Sequence, residues 1–413
     1  MHVLFLTDNF PPEVNASATR VYERAVYWVA AGHRVTIVTC FPNFPQGRLY
    51  NGWHQRLYQV DHLDGIEVLR LPTYIAPNEG VVRRTLDFVS YMMAVVAATP
   101  WLPRADVVVA TSPQFFAAVA GWLVSALKRR PFVFELGDLW PASIRAVGAM
   151  RRRPILEALE RVELFLYRQA AAVIALTPAF KRDLVRRGVN PQKIHVIING
   201  VDLPRYSPRP KDRGLGEQLG LGRRFVIGYL GTHGLAHDLR NVLAAAESLA
   251  DDPGICFLLV GDGAAKSELV TVARARNLNN VVFVDPQPKS RMPEFWSVCD
   301  VALVHLKDDP VFADVIPSKI FEAMAMGLPI LLVAPRGEAS VIVEGEGVGI
   351  AVRAGAPALL DEAVRRMRAD PATLAKLARA SAAAARRHSR QSQAEDMLRA
   401  LATVARCDYN CLQ

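Results

Sequence analysis

FADVIPSKIFEAMAMGLPIL, residues 312–331, is the stretch on which the reading of the chain turns. Pro317-Ser318 reads as a helix start and Gly327-Leu328-Pro329 as a helix stop. The apolar run that follows reads as a strand. A helix set between strands is the unit of a parallel α/β sheet, and its N-terminus aims free N–H groups at the crevice beyond the strands' carboxyl ends. Ser318, Lys319 and Glu322 share one helical face, with Ile320, Phe321 and Met324 on the other. Two readings stay open on this stretch alone. One is a surface helix with an i,i+3 Lys–Glu pair worth about 0.2–0.5 kcal/mol. The other places a phosphate at the helix start and on Lys319, with Glu322 about 5.4 Å further in. A carboxylate there suits a sugar diol as a double acceptor. Phosphate followed by ribose describes a nucleoside diphosphate, and Asp314 would then face the group beyond the phosphates.

Outward from this stretch the alternation continues. VLFLT (3–7), VTIVT (35–39), VVVAT (107–111), FVFE (132–135), AVIAL (172–176) and HVII (195–198) read as strands separated by helical segments. Residues 199–216, NGVDLPRYSPRPKDRGLG, break the pattern as a Pro/Gly linker. VIGYLG (226–231), FLLVG (257–261), VVFV (281–284), VALVHL (301–306) and PILLV (329–333) then restart it. The expectation is an α/β protein of two Rossmann-like, doubly wound domains facing each other across a cleft. The first runs over 1–205 and the second over 206–387, with a terminal helix from about 388 to 413 packing back on the first.

The chain has 413 residues, 51% hydrophobic and 22% charged, which excludes a disordered protein. Five scattered cysteines without a CxxC pair argue for a reducing compartment and against a disulfide or zinc framework. MHVLFLTDNF reads as a first strand, not a signal peptide. The uncharged run 107–127 is interrupted by TSPQ, so strand–turn–helix is expected there in place of a membrane span. Residues 1–205 hold 24 Lys and Arg against 16 Asp and Glu, so most of the net +9 sits in the first half. Solvated helix faces account for such runs. Attraction to an anionic membrane, through MRRRP (150–154) and the apolar segment 88–102, is the functional alternative. No zinc-finger, RNA-recognition or basic-aromatic pattern accompanies the charge, so nucleic acid is not an expected partner.

Two further strand–turn–helix junctions point the same way as residues 312–331. In VIGYLGTHGLAHD (226–238), Gly231 and Gly234 let backbone approach a pyrophosphate, while Thr232 and His233 present donors. LLVGDGAAKSEL (258–269) places Gly261 in a second such turn. GDG is not GxGxxG, and no acid follows at the dinucleotide spacing, so a nicotinamide cofactor is not expected.

With these residues in view, the chain resembles the family 4 retaining glycosyltransferases of the GT-B fold. It is nearest to the bacterial L-fucosamine transferase-like branch of O-antigen and exopolysaccharide assembly. FPPEVNASATR (10–20), GHRVTIVTCFPNFPQG (32–47), DLWPAS (138–143), NGVD (199–202), GTHGLAH (231–237) and PSKIFEAMAMG (317–327) match in order along nearly the whole chain. The resemblance implies that Glu322 holds the nucleotide ribose and that Asp314, the first acid of an E-x7-E pattern, contacts the donor sugar. Gly231, Thr232, His233 and Gly234 would lie under the phosphates with Gly261, Ser318 and Lys319. The base would rest near Asp285-Pro286-Gln287. Glu13, Asn15 and Arg20 would line the acceptor side, and Asp138 would be catalytic with Asp314 and Lys319. Two departures stand out: Asp314 is a methylene shorter than Glu, and the phosphate loop lacks the usual Arg and Lys. Lys319 and Arg240 are the candidates to supply that charge.

The implied reaction moves a sugar from a nucleotide-diphospho-sugar, UDP-linked by expectation, to a polyprenyl-diphosphate-linked sugar at the inner face of the cell membrane. The protein would be cytoplasmic, peripheral on that face. No cofactor and no metal is expected: Asp308-Asp309 is the nearest imitation of a metal-binding DxD and reads as a turn. The competing readings are a nucleotide-sugar epimerase of the same fold and a non-catalytic glycan- or lipid-binding relative.

Overall fold

In the computed structural model, residues 1–44, 46–75, 81–112, 114–139 and 153–410 are described. They form two compact units: residues 1–198 with 390–413, and residues 199–389.

The first unit is built on β1 (His2–Leu6), β2 (Arg34–Cys40), β3 (Gln59–Leu63), β4 (Ile66–Leu71), β5 (Val107–Thr111), β6 (Phe132–Leu136), β7 (Ala172–Ala175) and β8 (Ile194–Val196). Their order is β3-β4-β2-β1-β5-β6-β7-β8, parallel except for the β3–β4 hairpin. The continuous apolar runs arise because both faces are covered. Alternate residues of one strand serve different cores: Leu4 and Leu6 join one cluster with Val108 and Ala110, while Val3 and Phe5 join another with Val107 and Val109. The terminal helix Arg390–Asn410 belongs to the second of these layers. Trp28 Nε1 donates to the Ala394 carbonyl at 2.9 Å, and Arg390 pairs with buried Glu23 at 3.0 Å.

The second unit holds β9 (Phe225–Leu230), β10 (Ile255–Val260), β11 (Val281–Val284), β12 (Val301–His305), β13 (Ile330–Val333) and β14 (Gly349–Val352). All pair in parallel, in the order β11-β10-β9-β12-β13-β14. The direction of winding reverses between β9 and β12, which makes their carboxyl ends the switch point of this sheet.

Three strands escaped the sequence reading. Hairpin β3–β4 turns through Asp64 and Gly65, both with positive φ (50° and 78°), a two-residue Asp-Gly turn. Strand β14 is four residues long and only half-buried. Nor are residues 199–216 a tether: they belong to the second unit. Tyr206 is buried, Lys211 pairs with Asp300 at 2.7 Å, and Asp212 caps the helix Arg213–Gln218. The run 107–127 is β5 followed by the helix Phe115–Lys128. Among the described residues no helix is long and apolar enough to cross a membrane.

Candidate functional site

At the switch point of the second sheet, β9 ends in Gly231 (φ +139°) and the neighbouring β10 ends in Gly261 (φ +141°). Gly231 donates its N–H to the Val260 carbonyl at 2.9 Å and Gly261 to Val284 at 3.0 Å. A Cβ on Gly261 would stand 2.0 Å from the Gly231 carbonyl oxygen, and one on Gly263 would stand 2.6 Å from that of His233. The two turns nest so closely that only glycine fits. His233 N–H bonds the Asp262 carbonyl at 2.8 Å, joining the turns further.

Into this place comes Lys319 from the helix Lys319–Ala325. Ile320, Phe321 and Met324 anchor that helix in the core, and Gly327 (φ +70°) ends it. The stem of Lys319 keeps some surface, but its Nζ is buried and has no hydrogen-bond partner among the described residues. It lies 3.6 Å from the centroid of the Tyr229 ring and 3.0 Å from where a Gly231 Cβ would stand. The Tyr229 hydroxyl donates to the Thr232 carbonyl at 2.7 Å, which fixes the ring under the ammonium. Burial lowers the Lys319 pKa to about 7, with Glu322 opposing the shift.

Three imidazoles surround it. His233 is fully buried, and among the described residues both its ring nitrogens are without a hydrogen-bond partner; burial, then Lys266 and Lys319, lower it to about 4. Burial, then Lys319, His305 and His233, lower His237 to about 2. His305, at the end of β12 and fully buried, is lowered to about 4, chiefly by burial. All three are neutral near pH 7, so positive charge here comes from the lysines, and Lys319 supplies it in its protonated form. A buried ammonium without a hydrogen-bonded partner, beside glycine turns and neutral imidazoles, is arranged to receive an anion.

Glu322 also belongs to this group: its Oε2 accepts a 3.4 Å bond from the indole of buried Trp296. Ser318 precedes the helix without a side-chain cap bond, and Gly234 opens the short helix Leu235–His237. Thr232 and Pro286 are exposed at the ends of β9 and β11. Asp314 closes the short helix Pro310–Asp314, whose start is capped by Asp309. Asp308 instead faces Arg353 at 3.6 Å. Among the described residues no group of three or more His, Cys, Asp and Glu is placed to hold a metal ion. Arg240 turns away to pair with Glu268, at an exposed position on the neighbouring helix.

The remaining expected residues lie in the first unit. Glu13 is a buried clasp, its Oε1 accepting from Asn43 N (2.8 Å) and Phe44 N (2.9 Å) and its Oε2 from Phe10 N (3.3 Å). Burial raises its pKa to about 7. Asn15 caps the helix Ala16–Ala30 through Ala18 N at 2.8 Å. Arg20 pairs with buried Glu135 at 3.2 Å and donates to Thr111 at 3.2 Å. Asp138 follows β6 at the same edge, but Trp140 and the rest of DLWPAS lie outside the described residues, as do Arg151 and Arg152.

Sequence reasoning missed Tyr229 as a seat for Lys319, His237 and His305 as its neighbours, and Trp296 as the partner of Glu322. It also missed Lys266, whose Nζ donates to Asp285 at 2.6 Å. A signal existed for His305: it is a titratable residue at the end of an otherwise apolar strand.

Residues 15–200 match the family model described as a glycosyl transferase 4-like domain, and residues 217–387 match the one described as glycosyl transferases group 1. The chain belongs to the glycosyltransferases. It is similar to WcaI of Escherichia coli (strain K12), whose name places it as a glycosyl transferase of colanic acid biosynthesis. Identity is 25% over 343 residues, 79% of this chain and 82% of that protein. It is also similar to the D-inositol 3-phosphate glycosyltransferase of Segniliparus rotundus, 25% identical over 346 residues, 81% of this chain and 72% of that protein. Among solved structures, Anabaena Alr3699/HepE in complex with UDP superposes with a TM-score of 0.72 at 20% identity, covering 98% of this chain and all of that one. At that identity the likeness is one of fold, and the fold is GT-B.

Proposed function

We propose that this chain transfers a glycosyl group from a nucleoside-diphosphate sugar, UDP-linked, to a lipid-linked glycan acceptor, with retention at the anomeric carbon and without a metal. The observation that carries the reading is Lys319 Nζ, buried beside the Gly231 turn without a hydrogen-bond partner among the described residues. HepE was solved with UDP, and the name of WcaI places it in colanic acid biosynthesis. Both support the donor class and the setting. An aminosugar, as in the L-fucosamine transferase-like branch, is the narrower part of the proposal.

In this reading the diphosphate lies on Lys319, Ser318 and the Gly231, Thr232, His233, Gly234 and Gly261 turns. Glu322 accepts from the ribose hydroxyls, the base rests by Pro286, and Asp314 meets the sugar. As the bond between the anomeric carbon and phosphate oxygen breaks, its electron pair leaves on the diphosphate. Lys319 and the turn N–H groups stabilise that charge from fixed positions, which is worth most in a water-poor site. The acceptor hydroxyl forms the new C–O bond and gives its proton to the departing phosphate oxygen. Glu13, Asn15, Arg20 and Asp138 of the first unit are assigned to the acceptor, at the inner face of the cell membrane.

The test is UDP release from a panel of UDP-sugars, with and without a bacterial polyprenyl-lipid extract. Lipid-dependent release that survives EDTA and falls in Glu322→Gln is expected. Loss of transfer in EDTA would overturn metal independence. An isomerised UDP-sugar without UDP release would mean an epimerase, and no turnover of UDP-, GDP- or ADP-sugars would leave a binding protein.

A further inference from the structure

Strand β3 is the outermost strand of the first sheet, with β4 as its neighbour. The two-residue turn at Asp64-Gly65 makes Leu63 and Ile66 a pair that exchanges both main-chain hydrogen bonds. The pattern alternates, so Asp61 and Gln59 also bond β4, opposite Val68 and Arg70. Val60 and His62 therefore turn their N–H and C=O groups away from β4, and among the described residues no other backbone group bonds them. Native sheets blunt such an edge with proline or lysine. QVDHL has neither, and Leu57 (88% exposed), Tyr58 (41%) and Val60 (43%) leave apolar surface along it.

The residues of this edge complement themselves. Positions 56–64 read RLYQVDHLD. Laid antiparallel on a second copy with Val60 at the centre, Arg56 falls opposite Asp64, Leu57 opposite Leu63, Tyr58 opposite His62 and Gln59 opposite Asp61. Opposite charges, aliphatic pairs and hydrogen-bonding pairs are the neighbours that stabilise adjoining strands. The phase agrees as well. Tyr58, Val60 and His62, whose main-chain groups turn outward, meet one another and can form about six main-chain hydrogen bonds. Moving the centre to residue 59 would set Arg56 opposite His62, and moving it to 61 would set Asp61 opposite itself. Arg56 is exposed and forms no ion pair among the described residues, while the Tyr22 hydroxyl steadies Asp64 by donating to it at 2.5 Å.

We infer that the protein forms a two-fold symmetric dimer in which β3 of one copy pairs antiparallel with β3 of the other about Val60. The same edge serves both copies, so the contact closes and does not propagate. Sheet twist decides where the two carboxyl edges point. In the order β3-β4-β2-β1, three and a half strand steps separate β1 from the dyad, a turn of roughly 70–90° relative to β3. Both β1 strands then run close to the dyad and in the same sense. The two edges assigned to the acceptor therefore open on one side, where a single surface can serve both. The inference stands apart from the donor chemistry, since none of these residues takes part in it.

The experiment is sedimentation velocity of the full chain from about 1 to 100 μM, with dimer expected as the main species at the upper end. Val60→Pro removes an outward-turned N–H and should abolish the dimer while cooperative unfolding in urea persists. Arg56→Glu, at an exposed position, should weaken association about tenfold, because two charge pairs become repulsive. Under mild oxidation Val60→Cys should trap a covalent dimer, since Cα atoms of such a pair lie about 5.5 Å apart, within disulfide reach. His62→Cys should not, because it stands roughly 14 Å from its own counterpart. Wild type is the control for the native cysteines. A wild type that stays monomeric at the highest concentration would overturn the inference and leave the edge to a strand of another protein. So would a dimer that Val60→Pro and Arg56→Glu both leave intact, or trapping at 62 and not at 60. The assay contains no nucleotide, so its failure leaves the donor reading untouched, and UDP-induced thermal stabilisation tests that reading separately.

Discussion

Replacing Lys319 by Met should strengthen the empty protein and weaken its hold on UDP. The lysine brings a charge into a place where its Nζ has no hydrogen-bond partner, and burial lowers its pKa from 10.5 to about 7. Below pH 7 the folded state carries the charge and its full cost. Between about 7 and 10.5 the folded lysine has lost its proton while the unfolded one keeps it, so stability rises with pH, and above 10.5 the cost is gone. At pH 7 the cost is about 4 kcal/mol. The Tyr229 ring 3.6 Å away offsets part of it, about 1–2 kcal/mol, leaving roughly 2 kcal/mol. Methionine fills the volume of the stem without the charge, so the melting temperature should rise by about 4–8 °C. A charge-assisted bond to phosphate contributes about 1.5–3 kcal/mol, so UDP should bind roughly 10- to 150-fold more weakly. Because bound diphosphate restores the proton to Lys319, wild-type affinity should fall about fivefold from pH 7 to 8, and this dependence should vanish in the variant. Among the other titratable groups at the site, the neutral His233, His237 and His305 titrate well below that window, and burial pushes the Tyr229 hydroxyl well above it. Melting curves with and without UDP, and calorimetry in buffers of different ionisation heat, read both effects. A variant that melts below wild type, or that binds UDP within about twofold of it, would refute the reasoning.

Gly261→Ala should open the nested turns, since its Cβ would meet the Gly231 carbonyl at 2.0 Å; a loss above about 2 kcal/mol and of UDP-induced stabilisation is expected in melting experiments. Gly216→Ala, in a helix with nothing within 4 Å of the added carbon, should instead gain about 0.4–1 kcal/mol. Glu135→Gln should cost about 3–5 kcal/mol by urea titration, because it strands the guanidiniums of Arg24 and Arg20 in the core. Burial favours the neutral acid, but Arg24 and Arg20 hold Glu135 at about 2. Its contribution is therefore present above pH 4.5 and lost as pH falls toward 2, so the gap between variant and wild type should close over that range.

Much of the architecture was legible because buried parallel strands write themselves as continuous β-branched runs: β1, β2, β5 and β6 lie where VLFLT, VTIVT, VVVAT and FVFE place them. The hairpin β3–β4 was missed although Asp64-Gly65 is a turn signal, since QVDHL alternates half-buried and exposed positions and reads as polar. Residues 199–216 misled for a different reason. Proline and glycine report an irregular backbone, and irregular backbone can still be anchored, as Tyr206 and the Lys211–Asp300 pair show.

The sequence by itself determined two α/β units, the glycine turns at 231 and 261, and the Lys319–Glu322 spacing on one helix. These are local: strand period, turn chemistry and helical pitch act over a few residues, so a short stretch carries them. The tertiary structure alone decided that Tyr229 would lie under an ammonium ninety positions away, that His305 would stand beside His237, and that Arg240 would be spent on Glu268. It likewise decided that β3 would lie at the outer edge of its sheet with Val60 and His62 exposed. Each of these follows from strand order, which brings distant residues to the same end of a sheet, and strand order is set by packing across the whole unit rather than by any segment within it.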